Sequence, residues 1–103
     1  MATQQFALDE AQAFVADLHA LGIRPQQVIL FGSFARNEQR EWSDIDLAIV
    51  AEEFGNFRPE NSRRMAPALT KHVIIEPHSF RPEDFTDWNP FVQEIKRTGI
   101  RVV

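Results

Sequence analysis

Asp44 and Asp46 stand at spacing two in the run Ser43-Asp44-Ile45-Asp46-Leu47, downstream of a Gly32-Ser33 pair that closes the apolar stretch Val28-Ile29-Leu30-Phe31. Successive side chains of a strand point to opposite faces, so two carboxylates at that spacing aim the same way. Hard oxygen ligands suit Mg²⁺, which is held by one or two carboxylates together with substrate phosphates. Glycine lets the backbone come close to an anion, and the amides and hydroxyl after it can donate to phosphate oxygens. A phosphate-cradling turn beside paired carboxylates is the minimum apparatus for chemistry on a nucleoside triphosphate.

Two-metal phosphoryl chemistry adds a third carboxylate, which holds the second ion about 3.5–4 Å from the first and helps deprotonate the attacking hydroxyl. Glu76 is the candidate. It ends an apolar run, Val73 to Glu76, with Ile75 expected on one face and Ile74 and Glu76 on the other. Glu83, Asp84 and Glu94 are weaker candidates, placed in a turn and on a polar helix. Arg36 can reach a phosphate or pair with Glu38 or Glu41, and the sequence leaves both readings open. His72 and His78 flank the third strand without another ligand at zinc spacing, so both read as surface or packing residues. His19 reads as solvent-facing. Trp42, Trp88 and the nine phenylalanines read as core or interface, with Phe34 and Trp42 bordering the nucleotide site. No order of Ser, His and Asp suggests a nucleophilic triad.

The elements that must position these groups follow from periodicity. Ala11, Phe14, Val15 and Leu18 mark one face of a first helix. Asp9 and Gln12 suggest its capping box, and Gly22 its left-handed C-cap. Val28 to Phe31 reads as a buried strand, Ser33 to Asn37 as a short helical turn, and Asp44 to Val50 as a second strand with Ile45, Leu47 and Ile49 opposite the aspartates. Residues 52–62 read as a loop. Met65, Ala66 and Leu69 suggest a short helix whose limits Pro67 obscures. Val73 to Glu76 is a third strand stopped by Pro77. Asn89 and Pro90 open a last helix to Thr98, Gly99 follows it, and Ile100 to Val103 can add an edge strand. The expected architecture is an α/β (α+β) domain, residues 1–103, with a small mixed sheet covered by helices mainly on one face.

Composition bounds the rest. With 44% hydrophobic and 25% charged residues the balance is that of an ordinary globular chain. A formal net charge of −4 argues against general nucleic-acid binding, which needs excess Lys and Arg. There is no cysteine, hence no disulfide or thiolate metal site. No segment approaches a membrane span, and the first residues lack a signal-peptide layout. A cytoplasmic location is the expectation.

Taken together, Gly32-Ser33-Phe34-Ala35-Arg36 and Ser43-Asp44-Ile45-Asp46-Leu47 resemble the minimal nucleotidyltransferase (MNT) family of the polymerase-β superfamily. Its signature is Gly-Ser, Ala-Arg-Gly, then Ser-Asp-x-Asp-Leu, with a third acid on a later strand. The resemblance runs from the first helix to about Phe85. It implies a polymerase-β-like fold, Gly32 and Ser33 on the triphosphate with Arg36 and Ser43 in the same nucleotide-binding motif, Asp44 and Asp46 on Mg²⁺, and Glu76 in the third place. The implied reaction is attack of an acceptor hydroxyl on the α-phosphate of ATP. Asn37 and Glu76 depart from the family's usual glycine and aspartate. The family often pairs with a small helical HEPN-type protein, acting as an antitoxin that can adenylylate it. A domain this small has little material for an acceptor pocket, so the acceptor is expected to arrive with another chain or a second copy, docking on Phe54, Phe57, Trp88 or Phe91. The alternative is a binding subunit with an idle site. A small-molecule transferase like the aminoglycoside-modifying enzymes is disfavoured by the short chain.

Overall fold

The computed structural model describes residues 2–103. Helix α1 spans Gln4–Ala20, strand β1 Gln27–Phe31, β2 Ile45–Val50, α2 Arg58–Leu69, β3 Ile75–Phe80, α3 Pro90–Thr98 and β4 Ile100–Arg101, with a single 3₁₀ turn at Pro82–Asp84. The sheet order is β3-β2-β1-β4. β1 runs antiparallel to β2 and to β4, whereas β2 and β3 are parallel, joined through α2.

Alternation along the strands divides the molecule into two cores. Val28, Leu30, Ile45, Leu47, Ile49 and Ile75 pack with α1 and α2 on one face. Ile29, Ala48, Val50 and Phe80 pack with Val92 and Ile95 of α3 on the other. Two of the three helices thus share a face, and α3 covers the opposite face mainly near Val50, with Phe91 of its first turn reaching Phe31 and His78. The Asp46 end of that face stays open.

α1 is capped by Thr3, whose hydroxyl accepts from the Phe6 amide at 3.0 Å. Asp9 lies inside the helix and accepts from the Gln5 side chain at 2.9 Å, so the expected Asp9–Gln12 box is displaced: the helix starts upstream, where the hydroxyl cap is. Gly22 has φ +80°. It closes α1 as expected, with its amide on the His19 carbonyl and the Ile23 amide on that of Leu18, a Schellman pair. α3 is capped by the Asn89 side chain on the Phe91 amide at 2.9 Å, with Pro90 in the first turn.

Several expectations need correction. The segment read as a loop over 52–62 enters α2 at Arg58, because Pro59 is tolerated in a first turn whose N–H groups lack partners anyway. The inward stripe of α2 is Asn61, Met65 and Ala68. Its polar member hid the helical period, since the Asn61 amide is buried against Gly55 at 2.9 Å and Ser79 at 3.1 Å. Pro67 falls in the last turn without ending the helix. Nor does Pro77 stop β3, which begins at Ile75 and continues to Phe80. β3 is an edge strand; its ladder ends use the Ile74 and Phe80 carbonyls, so by period two Pro77 turns its missing donor to the open edge. Ile74 precedes the strand and packs with the same core as Ile75. Finally, Phe54 is buried and so unavailable for docking, whereas Trp42 and Trp88 are each 78% exposed, which leaves the interface half of their core-or-interface reading.

His72, read as a surface or packing residue, is a buried clamp. Its ring nitrogens lie 3.0 Å from a Glu10 oxygen and 2.8 Å from an Asp17 oxygen, and its edge meets Phe14. Carboxylates at both nitrogens require the doubly protonated ring. Burial opposes that charge, but the hydrogen bonds and charges of Glu10 and Asp17 outweigh it, so the pKa is raised above 6.5. A raised folded-state value contributes stability that is full below about pH 6.5 and fades as pH rises through the raised value. His72→Gln should therefore cost about 2 kcal/mol at pH 6 and less at pH 9. Urea unfolding of both proteins at the two pH values measures this, and an equal cost at both would show that His72 acts through packing alone.

Candidate active site

The open end of the sheet carries the site. β1 ends at Phe31, and Gly32 turns the chain with φ +76°. A Cβ at residue 32 would collide with the Asp46 carboxylate, so glycine is required twice, for its backbone and for its emptiness. The turn that follows is not a regular helix. It is closed by the Arg36 amide on the Gly32 carbonyl at 3.2 Å, Asn37 on Phe34 at 3.2 Å and Glu38 on Ser33 at 2.8 Å. Phe34 anchors it in the core, and the Gln4 side chain of α1 donates to the Phe34 and Ala35 carbonyls at 3.0 and 3.2 Å. Asn37 has φ +57°, a conformation that glycine adopts freely and asparagine better than most residues. That accounts for the departure at this position. Among the described residues, no protein acceptor meets the amides of Ser33, Phe34 and Ala35.

Asp46 opposes Phe31 on β1 and Glu76 on β3. All three therefore emerge on the face that α3 leaves open, and the next residue of β3 on that face is His78. Its Nε2 lies 3.4 Å from Asp46 Oδ1. Its ring packs edge-on against Phe31 at 5.0 Å and Phe91 at 6.1 Å. Asp46, Glu76 and His78 each offer a ligand atom within 4.8 Å of the others, and Glu76 is exposed while the other two are half-buried. The donors suit a divalent cation.

Other expected site residues sit apart from this group. Asp44 lies one residue before β2, exposed and outside the cluster. The Ser43 hydroxyl accepts from the Arg40 amide at 2.8 Å and so shapes the turn leading to Asp44. Arg36 pairs with Glu38 at 2.9 Å on the surface, the second of its two readings, and such an exposed pair is weak enough for a phosphate to displace. The rival carboxylates are engaged elsewhere. Asp84 accepts from Arg81 at 2.7 Å, and that hydrogen bond holds its pKa below the usual carboxylate value; Glu94 pairs with Arg97 at 2.7 Å. A separate cleft of about 210 Å³, lined by Arg58, Ser79, Arg81 and Trp88, lies at the far end of β3 from Glu76.

The family model for polymerase beta, nucleotidyltransferase, matches residues 22–103. The chain belongs to the polymerase-β nucleotidyltransferase family. The match takes in Gly32, both aspartates, Glu76 and His78, and the mixed sheet with its open end accords with that fold. A search among curated proteins returns no match. A strand ending at Pro77 hides His78; continued past the proline, simple alternation from Glu76 puts His78 on the face of Asp46 and Glu76.

Gly32→Ala should destabilise the fold by about 2 kcal/mol or more, combining left-handed strain of about 1–2 kcal/mol with the collision at Asp46. Gly22→Ala has the strain alone, since nothing lies within 4 Å of a Cβ there. Thermal or urea unfolding compares the two, and equal losses would mean that Asp46 yields freely to a side chain at 32.

Proposed function

We propose that this nucleotidyltransferase-family domain is an active, divalent-metal-dependent enzyme of the minimal type. It would move AMP from ATP to a hydroxyl carried by a second protein. The observation that supports this most is the Gly32 turn pressed against the Asp46 carboxylate, with Glu76 beside it in register. That arrangement brings phosphate-binding amides and metal-binding oxygens to one end of one sheet.

In this reading the Ser33, Phe34 and Ala35 amides and the Ser33 hydroxyl hold the β- and γ-phosphates, with Arg36 exchanging Glu38 for a phosphate oxygen. Asp44 and Asp46 would hold Mg²⁺ at the triphosphate, and Ser43 sets the turn that delivers Asp44. When bound, such an ion would supply charge stabilisation at the α-phosphate and the leaving group. Glu76, exposed at the mouth, takes the proton of the attacking hydroxyl. The hydroxyl oxygen bonds to the α-phosphorus as the bond to the bridging oxygen breaks, and pyrophosphate departs with that electron pair.

A protein acceptor fits the surface. Phe57, Trp88 and Phe91 are 61%, 78% and 41% exposed, and Phe91 stacks edge-on with Phe31 at 5.7 Å and also meets His78. A partner seated on Phe91 would bring its hydroxyl to the site. The resemblance to the minimal nucleotidyltransferases favours a small helical HEPN-type partner; a second copy of this chain is the other candidate. The same apolar surface supports the reading of a holding subunit whose site is idle.

Label transfer separates the two. α-labelled ATP should mark a discrete protein where γ-labelled ATP does not, and Asp46→Asn should lower the transfer at least about 10²-fold. Glu76→Gln should lower it too while the partner still co-purifies. Partner capture without α-label transfer by the unaltered chain would establish the holding role instead.

A further inference from the structure

Mg²⁺ demands a near-ideal, all-oxygen octahedral shell, whereas imidazole suits Zn²⁺, Cu²⁺, Fe²⁺ and Ni²⁺; Mn²⁺ also prefers oxygen but accepts a single imidazole more readily than Mg²⁺ does. The cluster on the open face is not all-oxygen: His78 shares it with Asp46 and Glu76. We propose that the ion nearest Glu76 is held by this mixed set, with His78 Nε2 as a direct ligand, and that the site therefore favours a transition-metal dication such as Mn²⁺ over Mg²⁺. The proposal rests on the metal-dependent reading above and concerns a second ion, beside the one assigned there to Asp44 and Asp46.

Three observations carry it. The first is register: Asp46 opposes Glu76 across the parallel β2–β3 pair, and His78 follows Glu76 by one full period of β3, so all three share a face without loop rearrangement. The second is spacing. Adjacent donors on an ion with bonds of about 2.1 Å sit about 3.0–3.4 Å apart, and His78 Nε2 stands 3.4 Å from Asp46 Oδ1. The third is orientation. Phe31 and Phe91 flank the imidazole at 5.0 and 6.1 Å, which limits rotation and keeps Nε2 toward the carboxylates. A histidine that merely bonded to Asp46 would share the second and third features, so the test must detect the metal–nitrogen bond itself.

Metal-free protein should be titrated with Mn²⁺, alone and with an ATP analogue whose α–β bridge resists cleavage, and read by pulsed electron paramagnetic resonance. Without nucleotide the expected result is one bound Mn²⁺ per chain with a nitrogen coupling that changes when histidine is ¹⁵N-labelled; the analogue should add a second ion without removing that coupling. Mg²⁺ should displace the first ion only at about tenfold excess or more. His78→Asn should abolish the coupling and weaken Mn²⁺ at least about tenfold, with a smaller change for Mg²⁺. Mn²⁺ bound without histidine coupling in the unaltered chain would overturn the proposal whatever the variants do. If that chain still transfers α-label with Mg²⁺, only this inference falls. If it neither binds metal nor transfers label, the enzymatic reading falls with it.

Discussion

The Asp46 carboxylate occupies the space that a side chain at residue 32 would need. This close approach couples the end of β1 to the start of β2. It holds only because Gly32 adopts a left-handed conformation and has no Cβ. Around it the rest is arranged for support. Phe34 is driven into the core one residue beyond Ser33, α1 reaches down with Gln4 to the carbonyls of the turn, and Asn37 takes the second left-handed position. The turn whose Ser33, Phe34 and Ala35 amides meet no protein acceptor among the described residues is thereby held against the Asp46 carboxylate.

Topology decides what else enters that volume. Because β2 and β3 are parallel and joined through α2, Glu76 comes into register with Asp46. Because α3 packs over Val50 and Phe80 rather than over Asp46, that end of the sheet remains open to a triphosphate and an acceptor. The stabilising core lies at one end of this face and the candidate site at the other. Substitutions in α3 that spare Phe91 should accordingly affect folding before they affect the site.

Much of this was legible in the residues. The spacing within 32–47, the face of α1 and the Asn89-Pro90 opening of α3 follow from local rules that the tertiary structure respects. What the sequence concealed was concealed by polar or conformationally special residues doing tertiary work. Asn61 sits where a helical period demands an apolar residue, because it ties the Gly55 loop to Ser79. Pro77 looks like a strand end, because nothing local says that β3 is an edge. That false end also hides His78, and no local pattern shows that the loop carrying Phe54 folds back onto the core. Asp44, though part of the clearest motif, stands just outside β2 and apart from the group formed by Asp46, Glu76 and His78.

The most direct test of a metal–nucleotide site at this end of the sheet is a map of paramagnetic broadening. Amide resonances of the uniformly ¹⁵N-labelled protein are recorded as Mn²⁺ and a cleavage-resistant ATP analogue are added. Broadening centred on Gly32 to Ala35, Ile45 to Leu47 and Glu76 to His78 is the result the structure predicts. Broadening centred instead on the surface carboxylates near Glu41 or Glu83 would contradict it.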